Sequence, residues 1–149
     1  MIAKPSHLNV PPWQFVPAVL GGTSLRTATW WAAPRIYPTT AGKKIGCWDR
    51  SLAKPGRVEI ATTGRRDGTD FGLAGGPGAD FKHAKIGVSI SNARHLAIVG
   101  DMSQQGAVTR NCASSQNGRG GPFFVVENHA LTSSLTALID GDTAPTRVR

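Results

Sequence analysis

The sequence predicts an all-β domain, and three observations carry that expectation. Glycine and proline together supply 28 of 149 residues, so turns are frequent and long regular elements are few. Short runs rich in β-branched and aromatic residues recur between those turn signals. Hydrophobic residues make up 40% of the chain, enough for a packed core and too many for a compositionally disordered one. At this length a single domain is expected, and many short strands separated by turns suggest a barrel or a sandwich.

In chain order, residues 1–19 carry Pro5, Pro11, Pro12 and Pro17 and read as an extended N-terminal arm, with Trp13, Phe15, Val16, Val19 and Leu20 available to anchor it. The same prolines break the apolar helix that a signal peptide needs. Gly21-Gly22 marks a turn. LRTATWW, residues 25–31, alternates loosely as a strand. RIYPTT, residues 35–40, is a short strand candidate ending near Pro38, and residues 41–44 turn the chain. RVEIAT, residues 57–62, alternates cleanly, with Val58 and Ile60 on one side and Arg57, Glu59 and Ala61 on the other. GRRDG, residues 64–68, reads as a turn and TDFGLA, residues 69–74, as a strand. Further short strands are expected at 86–90, 96–99, 107–109 and 123–126, with a turn at Gly100-Asp101. Residues 130–139 are the one helix expected, although their Thr and Ser content also permits a strand. Leu131, Leu135, Leu138 and Ile139 share a face, and Asn128 stands where a cap belongs. Residues 140–149 read as a basic, polar tail.

Charge and cysteines bound the chemistry. Lys and Arg number 17 against nine Asp and Glu, a formal charge of +8. Such a balance suits an anionic partner such as RNA, although a solvated basic surface accounts for it equally well. The tight basic groups are Lys43-Lys44, Arg65-Arg66 and the three residues 147–149. Cys47 and Cys112 form no C-x-x-C pair and define neither a disulfide scaffold nor a metal site. His7, His83, His95 and His129 lack metal-ligand spacing, so no metal and no cofactor is expected. The glycine clusters at 75–78 and 118–121 lack the Lys-Ser/Thr of a phosphate loop. No apolar run reaches the ~18 residues of a membrane span, and a cytoplasmic location is expected.

CASSQNGRGGPFFVV, residues 112–126, joins a polar, glycine-rich loop to an apolar strand. On the glycines alone this is a hairpin connection without chemistry. The alternative is a tight loop whose backbone amides face a developing oxyanion.

The run NGRGGPFF resembles the GDSGGP loop of chymotrypsin-like serine proteases and the related loop of small positive-strand RNA virus proteases of the sobemovirus and polerovirus type. Aligned on Gly120-Gly121-Pro122, Arg119 falls at the position of the nucleophilic serine. GTDFGLA resembles the strand that carries the triad aspartate, which would be Asp70. RIYPTTAGKK is similar to the strand that ends in Thr-Ala-His, with Gly42 at the histidine position. The resemblance covers residues 20–139, with 140–149 as a tail, and implies a double β-barrel, whole or truncated, with a short C-terminal helix. It also implies an oxyanion hole from the Asn117 and Arg119 amides and a peptide or polyprotein segment as partner, in host cytoplasm if the chain is viral. With glycine and arginine at two triad positions, the copy is expected to be degenerate, since arginine stays protonated and cannot attack. A small basic β-domain that binds RNA, with Arg65 and Arg66 in contact, or that serves in assembly, is the competing expectation. A chain that does not fold well is the third.

Overall fold

The computed structural model describes residues 1–30, 48–73, 83–91, 93–104 and 116–144. Eight strands dominate: β1 (Ile2–Lys4), β2 (Leu25–Thr29), β3 (Val58–Ile60), β4 (Thr63–Arg66), β5 (Thr69–Gly72), β6 (Lys85–Ser89), β7 (Leu96–Gly100) and β8 (Gly121–Glu127). Two helices accompany them, α1 (Pro12–Val19) and α2 (His129–Leu138). Six strands form one mixed sheet in the order β1-β8-β7-β6-β2-β3, and β4 and β5 form a separate hairpin. Within the large sheet β2 and β3 run parallel and every other pair runs antiparallel. Among the described residues neither sheet closes into a barrel. The strand candidates at 35–40 and 107–109, and both cysteines, lie outside the described residues.

Strand alternation divides the core in two. Leu25, Ile98 and Phe123 face one side, where they pack with Trp13, Val16 and Met102. Ala28 and Val88 face the other, with Leu73 and Ile139. Helix α1 lies against the first face and α2 against the second.

Residues 1–19 are not an extended arm. Pro12 occupies the first turn of α1, where a missing N–H costs nothing because that amide has no helical partner. Only Pro17 sits inside the helix. Apart from Gln14 the segment is apolar all round, which suits a helix enclosed on every side, and residues 12–18 are all buried. Trp13 is fully buried, edge-on to Phe123 with ring centroids 5.2 Å apart. Its indole N–H donates to the Met102 carbonyl at 2.9 Å. Close approach rests on two glycines. A Cβ at Gly87 would lie 2.8 Å from the Trp13 ring, and one at Gly100 would lie 2.6 Å from the Phe123 ring. The helix ends at Gly21 and Gly22, with φ of 68° and 85°.

The expected turn at 64–68 is narrower. Thr63 to Arg66 are strand, and the chain reverses at Asp67 and Gly68, both with positive φ, as a two-residue hairpin turn requires. The C-terminal helix forms where its apolar spacing places it, with the Asn128 side chain accepting from the Leu131 amide at 2.9 Å. Past α2 the chain is not a loose tail throughout. Ala144 donates to the Ile60 carbonyl at 2.7 Å, and Thr143 bridges Ala61. That contact covers the outer edge of β3. No helix among the described residues is long and apolar enough to cross a membrane.

Candidate functional site

Asp70 stands on β5 directly across from Arg65 on β4. The Arg65 Nε donates to Asp70 Oδ1 at 2.7 Å, and both side chains are mostly exposed. This bond holds the Asp70 carboxyl below the usual carboxylate range. Arg66 and Asp67 form a looser pair at the hairpin tip, 3.5 Å apart. Arg119 lies in the loop that leads into the large sheet. It precedes β8 and donates to Asp101 Oδ2 at 2.7 Å, again at the surface. Asp70 and Arg119 are thus each held in a separate ion pair, Asp70 on β5 and Arg119 in the loop before β8. Gly42 lies outside the described residues.

The glycine-rich loop has a different organiser from the one its sequence suggests. Lys4 on β1 is 2% exposed, and its ammonium donates to the carbonyls of Leu8 and Asn117 at 2.6 Å each and of Arg119 at 3.1 Å. Burial lowers its pKa from the ordinary lysine value. The Arg119 amide donates to the Gln116 carbonyl at 3.3 Å. An oxyanion hole needs amides converging on one open point. Here one expected amide is spent on a turn, and the carbonyls of both residues point at a buried cation. The loop is tied down by Lys4, which carries no local signal of this role, since a lysine in a Pro-rich start reads as surface.

One concave feature of the second face is a groove of about 450 Å³ between α2 and strands β6, β2 and β3. Its apolar wall includes Val88, Ile90 and Ala137, and its polar lining includes His95, His129, Thr132 and Arg26. The sheet register assembles it. Leu96 pairs with Glu127 across β7 and β8, and one step beyond the pair the Asn128 amide donates to the His95 carbonyl at 2.9 Å. His129 follows as the first residue of α2, so the two imidazoles meet edge to face with centroids 4.4 Å apart. Nothing in their spacing of 34 positions announces this.

Arg26 forms the far end of the groove. Its guanidinium donates to the carbonyls of Ile139, Gly141 and Asp142, to the Thr143 hydroxyl and to Glu59. All five donors are thereby committed to holding the end of α2 on the sheet. Glu59 is also paired with Arg57. Thr132 is different. It is 5% exposed, its amide donates to the Asn128 carbonyl, and its hydroxyl has no hydrogen-bond partner among the described residues.

No protein-family model, curated protein or solved structure matches the chain.

Proposed function

We propose that the chain is a small basic β-rich domain that binds RNA and carries no peptidase chemistry of its own. The observation behind this reading is the distribution of charge. Five of the eight acidic residues in the described part are already matched in ion pairs with arginines. The described residues carry ten basic side chains against those eight acids, and the remaining segments add seven basic residues and a single acid. The surplus has no intramolecular counter-charge and suits a polyanion. Arg65 and Arg66 stand at the tip of the β4–β5 hairpin, 64% and 79% exposed, in pairs weak enough to exchange for phosphate. A degenerate protease on a double barrel would need Asp70 in a cleft beside a base. Its exposure and its pairing with Arg65 favour the binding reading instead.

Fluorescence anisotropy with a labelled single-stranded oligoribonucleotide tests this. Affinity is expected to fall steeply between about 50 and 200 mM salt. The double substitution Arg65→Ala, Arg66→Ala is expected to reduce the log–log salt slope by about 1.4. Absent or salt-insensitive binding would remove the RNA reading. Hydrolysis of a casein substrate by the purified chain would restore the protease one.

A further inference from the structure

We infer that the outer edge of β8, from Phe124 to Glu127, docks an extended acidic peptide of a partner protein. The peptide pairs with the backbone as an added strand and lays alternate apolar side chains beside Phe124 and Val126. This edge belongs to the large sheet, is separate from the basic hairpin and does not depend on RNA binding.

The sheet register leaves this edge open. Strand β8 has seven residues, and β1 pairs with only three of them, Gly121, Pro122 and Phe123. In an antiparallel ladder, alternate residues direct their N–H and C=O groups to opposite edges of the strand. Asp101 donates to the Pro122 carbonyl, and Asn128 donates to the His95 carbonyl. These two bonds set the even-numbered residues of β8 toward β7 and the odd-numbered ones outward. Gly121 and Phe123 meet Lys4 and Ile2 on β1. Val125 and Glu127 face the same way, and no strand among the described residues lies opposite them. Their N–H and C=O groups form a short template for strand addition.

The side chains at this edge are apolar and open to solvent. Phe124, Val99 and Val126 are 54%, 51% and 47% exposed. Val99 is the register partner of Phe124, and Val126 follows Phe124 on the same side of β8, so the three make one patch. Open edges are ordinarily guarded by lysine or proline, and Phe124 to Val126 contains neither. Residues of an added strand opposite Phe124 and Val126 would occupy non-hydrogen-bonded sites, where side chains approach most closely. Charge selects the occupant. A second copy would bring another chain of formal charge +8 against the first, whereas an acidic segment is attracted. Glu127 does not oppose such a segment, because Arg94 holds its carboxylate at 3.2 Å.

The test uses the full chain, isotope-labelled and followed by amide NMR. In the free chain the amides of Phe124 and Val126 are expected to exchange slowly and those of Val125 and Glu127 quickly. Titration with the synthetic peptide EEVTVTVE is expected to shift all four saturably and to slow exchange at Val125 and Glu127. With its valines beside Phe124 and Val126, its threonines oppose Val125 and Glu127. N-methylation of the threonines is therefore expected to weaken binding about tenfold or more, as loss of two hydrogen bonds does, and N-methylation of the valines far less. The peptide KKVTVTVK should bind more weakly than the acidic one. Phe124→Thr and Val126→Thr, both at exposed positions, should each weaken EEVTVTVE by about fivefold, the worth of one cross-strand pair. The proposal is overturned by the absence of saturable shifts at Val125 and Glu127, by undiminished binding of the threonine-methylated peptide, or by equal binding of KKVTVTVK. Slow exchange at Val125 and Glu127 in the free chain overturns it too. If that protection rises with protein concentration the edge pairs with a second copy, and if it does not, another segment of the chain already fills the edge. A response of these amides to an oligoribonucleotide and not to the peptide would assign the edge to RNA instead.

Discussion

Helix α1 buries seven of its eight residues, whereas α2 buries one of ten. Both pack on the same sheet, from opposite sides. On the α1 side, Gly87 and Gly100 remove the side chains that would hold a helix away, so Trp13 reaches the backbone of the sheet. On the α2 side the helix meets the β4–β5 hairpin and the sheet through Leu135, Leu138 and Ile139 near its C-terminal end, where Arg26 fastens it. Another side of α2, from His129 to Ala137, stands over the groove. One face is therefore built for density and stability. The other retains a cavity and two imidazoles beside a helix that is mostly exposed.

That contrast can be broken most forcefully at Trp13. Trp13→Ala is expected to destabilise the fold by about 3–5 kcal/mol, read from denaturant unfolding, because a dense face cannot collapse into the void. Gly100→Ala tests the same face from the opposite direction. Its new methyl group would meet the Phe123 ring, and overpacking of this kind costs about 1–3 kcal/mol. On the second face Arg26→Ala removes the fastening of α2 and leaves carbonyls without donors. A loss of about 2–3 kcal/mol is expected, with amide exchange in α2 accelerated more than in α1. Arg26→Lys should rescue little, since a lysine cannot serve five acceptors in a planar fork.

Lys4 joins the dense face to the glycine-rich loop. Lys4→Met strands the carbonyls of Leu8, Asn117 and Arg119 and is expected to cost about 1–3 kcal/mol. It also carries a pH signature. Burial lowers the pKa of Lys4 in the folded chain, so the unfolded chain holds the proton to higher pH. Between the lowered value and the ordinary 10.5 the unfolded state binds more protons, and stability rises with pH across that window. Lys4→Met should flatten this rise in unfolding curves collected at alkaline pH. The smallest effect is expected at the hairpin. Arg65→Ala breaks only an exposed pair and should leave the melting temperature unchanged within error. A clear drop there would mean that the Asp70 pair is structural after all.

Local signals alone carried part of this architecture. Asn128 followed by the Leu131, Leu135, Leu138 spacing specifies α2 and its cap, because both features act within a few residues. The alternation of Val58 to Ile60 and the apolar runs 96–99 and 123–126 specify strands for the same reason. Asp67-Gly68 specifies a hairpin turn, although the first strand, Thr63–Arg66, occupies most of the span that GRRDG marks as turn. The sequence also determined the net positive charge, which depends on composition alone.

The tertiary structure decided the rest. Prolines that looked like breaks became part of α1, because total burial outweighs one missing hydrogen bond. The sheet register brought His95 to His129, a pairing invisible at a spacing of 34 positions. Lys4 became an internal cation because the β1–β8 pairing set it beside two carbonyls of a loop more than a hundred residues away. Asp70 lies on β5 of the two-stranded sheet and Arg119 just before β8 of the six-stranded one, because a local motif fixes backbone and says nothing about which sheet receives it. Contacts within a few residues are written in the chain. Those between distant segments depend on which faces bury best together, and the complete fold settles that choice.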